Sequence, residues 1–151
     1  MTVERVKQYL DEHDVHYTIT PHEQAFTAQE VAAEAHVSGR RFAKVVVVKV
    51  DSQLALAVLP AKEEVQVDQL ARSLGAESVA LASEAEFRQQ FPGCEVGAMP
   101  PFGNLFGVET YVSQHLAETE QIAFNAGTHT EVMELPYRDY ERLAEPAMVA
   151  M

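Results

Sequence analysis

The chain reads as a mixed α/β domain whose helices and strands are interleaved without strict βαβ alternation. Three observations carry that reading. Two capping boxes, Thr27 with Glu30 and Ser83 with Glu86, each open a helical stretch. Phe42 to Val50 and Leu54 to Leu59 are strongly apolar runs joined by Asp51-Ser52, the pattern of a hairpin with two largely buried strands. Three further short strand-like runs follow a proline-rich loop late in the chain. Interleaving of this kind favours a mixed sheet or partly closed barrel over a doubly wound fold.

Each element has a local cause. Val3, Val6 and Leu10 recur at helical spacing and give a first helix up to about Glu12. His16-Tyr17-Thr18-Ile19 reads as a short strand that stops at Pro21. Behind the Thr27 box, Val31, Ala32, Ala35 and Val37 continue a second helix to Gly39. After the hairpin, Asp68 can cap a third helix through Leu70, Ala71 and Leu74 that ends at Gly75. Ser78 to Leu81 is a short strand, and the Ser83 box opens a helix to Phe91, ended by Pro92-Gly93. Val108 to Val112, Gln121 to Phe124 and Glu131 to Leu135 are the late strands, and Pro136 opens a final helix with Tyr137, Tyr140 and Leu143.

With 151 residues, 47% of them apolar, the chain fits one compact domain over 1–151. The charged N-terminal stretch has no apolar core of a secretory signal, and no apolar run approaches membrane-spanning length. A single cysteine, Cys94, precludes an internal disulfide and fits a reducing compartment, so a cytoplasmic location is expected. A net charge of -12 argues against DNA or broad nonspecific nucleic-acid binding, which needs many phosphate contacts. It leaves room for recognition of one nucleic-acid end by a local basic spot, and Arg40, Arg41, Lys44 and Lys49 come nearest to one.

Few residues offer chemistry. The loop Gly97-Ala98-Met99-Pro100-Pro101-Phe102-Gly103 is a poor helix and a poor central strand, running on into Asn104 without a regular element. It reads either as a surface turn or as the rigid wall of a small-molecule pocket. Lys44 shares a strand face with Phe42, Val46 and Val48, which places it at a sheet rim or in a cleft for an anion. Lys49, on the other face, reads as solvated. Asn125-Ala126-Gly127-Thr128-His129 is a hairpin turn with a surface histidine, or a neutral imidazole poised over an amine or a water. The histidines have no metal-ligand spacing, so neither a metal nor a cofactor is expected.

Taken in order, Ala25-Phe26-Thr27, the lysine of Phe42-Ala43-Lys44-Val45-Val46, the proline loop and the glycine-histidine turn resemble the YbaK / prolyl-tRNA-synthetase-associated family of aminoacyl-tRNA editing domains. The resemblance spans nearly the whole chain. It implies a curved, barrel-like mixed sheet flanked by helices. It implies an aminoacyl-tRNA deacylase acting in trans, most often on tRNA-Pro carrying a small non-cognate residue such as alanine or cysteine. Its partners would be the acceptor end of that tRNA and a synthetase, with no membrane role. Lys44 then matches the strand lysine that contacts the terminal adenosine or its phosphate, and Gly97 and Pro101 match a G-x-x-x-P loop around the scissile ester. His129, with Gly127 and Asn125 in its turn, is similar to the histidine associated with the substrate's amino group, while Met99 and Phe102 would make the pocket apolar. Pro100 departs from relatives that carry a small hydroxyl residue there. Two other readings stand beside this one: a non-catalytic module that binds aminoacyl-tRNA or a synthetase with the same pocket, and a thiol hydrolase using Cys94.

Overall fold

The structure, a computed structural model, describes residues 2–21, 32–33, 38–95 and 97–151. Of the expected second helix only Ala32 and Ala33, which are helical, and Ser38 and Gly39, which are not, fall among these residues; its Thr27–Glu30 box and the Ala25-Phe26-Thr27 segment lie outside them. The described elements are α1 (Thr2–Glu12), β1 (Thr18–Pro21), β2 (Ala43–Val50), β3 (Gln53–Pro60), α2 (Val67–Leu74), β4 (Val79–Leu81) and α3 (Glu84–Phe87). Then come β5 (Glu109–Ser113), α4 (Gln114–Ala117), β6 (Gln121–Asn125), β7 (Glu131–Pro136), α5 (Tyr137–Ala144) and β8 (Ala147–Val149).

The hairpin forms as expected, with β2 and β3 paired from Ala43–Pro60 through to Val50–Gln53. Asp51 and Ser52 both take positive φ, 48° and 72°, the backbone that matches the twist of two antiparallel strands. Around this hairpin the strands run β4-β2-β3-β5-β8, with β5 parallel to β3 and β8 parallel to β5. A second, antiparallel sheet runs β1-β7-β6. The two are joined by a parallel bridge of Phe42 with Ala123, where the Ala123 N–H donates to the Arg41 carbonyl at 3.0 Å. Mixed architecture is therefore correct, but the sheets do not close into a barrel. The larger one ends on β4 and β8, three-residue strands whose Leu81 and Met148 are each 61% exposed.

Side chains alternate across β2 and sort into separate cores. Ala43 and Val47 join the main core with Val6, Leu10, Leu56, Phe124 and Tyr140. On the opposite face Phe42 packs with Ala61, Ala123 and Val132, and Val48 packs with Ala55, Ala57 and Leu70 of α2. The ring of Phe102 ties the proline loop to the main core. It meets Tyr9, Phe124 and Tyr140 edge-on, with centroids 6.1, 5.7 and 5.4 Å away.

Several local expectations need correction. Asp68 does not cap α2; Gln66 occupies that position without a side-chain bond, and Asp68 lies in the first turn, where its charge suits the positive helix end. Gly75 does end the helix, left-handed at φ 65°. The Ser83–Glu86 capping box is complete, yet α3 stops at Phe87 and continues only as a 3₁₀ turn, Arg88–Gln90. Gly103–Leu105 forms another 3₁₀ turn, so the proline loop does run into a regular element. Elements α4 and β8 had no sequence signal.

Lys49 is not merely solvated, since its ammonium pairs with Glu86. Hydrogen bonding from Lys49, aided by the Ser83 backbone and hydroxyl, holds the Glu86 carboxyl down at about 2, against 4.5 for a free side chain. A lowered native pKa gives stability that is complete above 4.5 and is lost as pH falls toward about 2. Glu86→Gln should therefore narrow the gap between the urea midpoints at neutral and acid pH. Phe102→Ala should cost about 3–5 kcal/mol in the same denaturation measurement, as the loss of a wholly buried aromatic anchor.

Candidate active site

Lys44 and Asn125 are brought level by the bridge that joins the sheets. β2 and β6 run parallel there, and each residue lies two positions beyond the bridged pair, Phe42 and Ala123. Phe42, Ala123 and Val132 share one small core, and Val132 is the direct partner of Asn125. Alternation then sets Lys44 and Asn125 on that same side of their strands. Burial lowers the Lys44 pKa below that of a free lysine, while Glu64 and Glu63 pull it back up. Asn125 is 6% exposed, and its Oδ1 has no hydrogen-bond partner among the described residues. A partly buried cation thus stands level with a buried acceptor that has no partner among the described residues, a pairing that suits a ligand's polar groups better than a core.

Beyond Asn125 the chain turns through Gly127, at φ 117°, to His129, which is 3% exposed. His129 is therefore a buried residue and not a surface one. Gly97 faces its ring: a Cβ placed on Gly97 would lie 3.6 Å from Cε1 and 3.9 Å from Nε2. Gly97 also sits at φ 84°, a conformation that suits glycine. The proline loop and the glycine-histidine turn therefore form adjoining walls.

Glu95, which the sequence did not mark out, holds these walls together. Its main-chain N–H donates to the Gly127 carbonyl at 2.8 Å. Its carboxylate Oε2 accepts the His129 main-chain N–H at 2.9 Å. Its own carbonyl accepts from the Ala98 N–H at 3.0 Å, which curls the chain around Gly97. Three hydrogen bonds from one residue span both loops.

The remaining predicted residues lie deeper. Met99, Pro100 and Pro101 are all buried, so the loop is no surface turn. Met99 lines a void of about 20 Å³ with Phe87, Arg88, Phe91 and Cys94, room for about one water. Phe102 points into the main core and acts as the loop's anchor. The structure brings Gly97, Gly127 and His129 together directly and sets Lys44 and Asn125 level by register, while the Phe102 ring packs among Tyr9, Phe124 and Tyr140. Among the described residues no group of three or more histidine, cysteine or acidic side chains could hold a metal ion. No helix among them is long and apolar enough to cross a membrane.

The class is fixed by likeness to known proteins. The sequence profile of the aminoacyl-tRNA editing domain matches residues 22–143, and the chain belongs to that family, which as a class comprises aminoacyl-tRNA deacylases. It is 30% identical over 154 residues to the Multifunctional Ser/Thr-tRNA deacylase ProXp-y of Escherichia coli K12, covering 99% of this chain and 92% of that protein. The same protein of Escherichia coli O157:H7 matches equally. Among solved structures, a candidate trans-editing enzyme for prolyl tRNA synthetase superposes with a TM-score of 0.81 at 17% identity, covering 99% of this chain and 97% of that one. Hypothetical protein APE2540 superposes with a TM-score of 0.83 at 18% identity, covering 96% and 98%. These two likenesses establish the fold alone.

The Glu95 brace has a direct test. In Glu95→Ala the His129 amide should exchange hydrogen several-fold faster, a loss on the order of 1 kcal/mol of local protection, with little change in global stability. Glu95→Gln keeps an acceptor oxygen and should retain most of the protection.

Proposed function

We propose that the chain hydrolyses, in trans, the ester that joins a wrongly attached small amino acid to the 3′ end of a tRNA. The observation that carries this reading is the approach of the Gly97 backbone to the buried His129 ring, with Lys44 and Asn125 level on adjoining strands. Serine or threonine is the leading acyl group, supported by the name of the Escherichia coli relative. Alanine or cysteine on tRNA-Pro, the substrates implied by the family resemblance, form the second arm.

Such a reaction asks little of side-chain nucleophiles. An aminoacyl ester is already activated, so a site gains most by orienting a water, stabilising the developing oxyanion and excluding larger residues. In our reading the Lys44 ammonium meets the phosphate or ribose of the terminal adenosine as a compact charge. The Asn125 carbonyl oxygen accepts a hydrogen bond from the substrate's α-amino group, and His129 lies against the same group. Peptide groups of the Gly97–Pro101 loop surround the ester and hold the water, and the free hydroxyl of the terminal ribose assists its activation. Cys94 has no part in this scheme. Because the net charge of -12 weakens attraction to RNA, a synthetase that already holds the tRNA would raise the effective concentration of substrate.

A panel of tRNAs charged with serine, threonine, alanine, cysteine or proline decides the matter. Release of a small non-cognate residue well above the no-enzyme rate is expected, with proline spared from tRNA-Pro. Tight binding without release, from a folded sample, would replace the enzyme with a binding module. Lys44→Ala should lower kcat/KM on the best substrate by about 10²-fold or more while changing stability by less than about 1 kcal/mol. Loss of the fold instead would make Lys44 structural.

A further inference from the structure

The strand end that carries Lys44 opens onto a cleft of about 440 Å³ that the reaction scheme does not use. Arg40 and Lys62 form one lip, and Glu63, His115, Glu118 and Thr119 line the rest. The lip is built from two turns locked to each other. The Lys62 N–H donates to the Gly39 carbonyl at 3.4 Å, the Ala61 N–H to the Phe42 carbonyl at 2.8 Å, and the Arg40 N–H to the Ser38 hydroxyl at 3.2 Å.

The charges there are unequally committed. Within the basic spot that the sequence suggested, Arg41 is taken by Glu134 and Lys49 by Glu86. Arg40 and Lys62 are exposed and have no ion-pair partner among the described residues. Nδ1 of His115 lies 3.0 and 2.9 Å from the two carboxylate oxygens of Glu63, which ties the acid that follows Lys62 to α4. Pro60 of the cleft pairs with Ala43, the residue before Lys44, so the cleft lies beside the candidate active site. The remaining acid, Glu118, lies along the same helix and turn as His115 and Thr119.

We infer that this cleft receives backbone phosphates of the substrate RNA next to its reactive end, with Arg40 and Lys62 as the phosphate contacts. The inference rests on the deacylase reading for the identity of the RNA, but not for the chemistry of the cleft. An arginine offers a planar fork to phosphate oxygens and a lysine a mobile point charge, and neither has an ion-pair partner among the described residues. The site compensates for an acidic surface: two local cations supply attraction that the chain as a whole does not. The His115 contact holds the Glu63 carboxylate to one side, while its charge still opposes them.

Fluorescence anisotropy with an uncharged tRNA-Pro transcript tests the cleft without any ester. Arg40→Gln/Lys62→Gln should weaken binding about tenfold or more at low salt. It should also flatten the plot of log affinity against log salt by about 1.4, two contacts at roughly 0.7 each for single-stranded RNA. Arg72→Gln/Arg142→Gln carries the same charge change at exposed positions outside the cleft and should shift binding less than twofold. Glu63→Gln should tighten it. Equal binding by wild type and the cleft variant, equal loss in both double variants, or no binding by wild type at 50 mM salt would each overturn the inference. If wild type binds the transcript through the cleft yet hydrolyses no charged tRNA, the deacylase reading falls and the cleft stands.

Discussion

One parallel contact, Phe42 against Ala123, organises the candidate active site. It is the main-chain bridge between the two described sheets, and it sets β2 and β6 advancing together so that Lys44 and Asn125 arrive at the same level. A slip of one residue in either strand would turn one of those side chains to the opposite face. The register is protected on both sides of the bridge. On one face Phe42 is packed by Ala61, Ala123 and Val132; on the other Ala43 and Phe124 belong to the main core. Both faces of the strands are buried where they meet, so register errors there expose apolar surface at once.

Onto that frame the proline loop is held from two directions. Phe102 fixes it from below through three aromatic neighbours, and Glu95 fixes it laterally through hydrogen bonds to the Gly127–His129 turn. The two attachments differ in strength. A buried aromatic ring is worth about 3–5 kcal/mol, whereas each net hydrogen bond adds roughly 0.5–1.5 kcal/mol. The ring decides that the loop is present; the weaker bonds decide where its backbone points. Such a division suits a site that works by placement of peptide groups, because small shifts of position matter more there than gross stability.

Much of this was legible in the sequence. The β2–β3 hairpin followed from its apolar runs, and the Ser83–Glu86 box from four residues, because both depend on local chemistry. The resemblance marked Lys44, Gly97 and His129 in order along the chain, though it could not say how they meet. What stayed hidden depends on chain crossings. Glu95 acts on residues 32 and 34 positions ahead of it, and nothing around it in sequence announces that role. Lys62 and His115 come to one cleft from distant segments. β8 is three residues long and exists by pairing with β5, a tertiary cause with no periodic trace. The open sheets have the same explanation: closure depends on edge lengths and partners, which alternation does not encode.

Position 97 imposes a constraint of handedness rather than of composition. At φ 84° an L side chain is strained by roughly 1–2 kcal/mol before it touches anything. The Cβ it would add stands toward the His129 ring. A mirror-image residue would keep the backbone angle at ease and direct its Cβ elsewhere, but ribosomal synthesis offers none. Mutation therefore has no improving move at this point in the loop. The side chains around it can drift, provided that the wall they frame stays achiral at its centre.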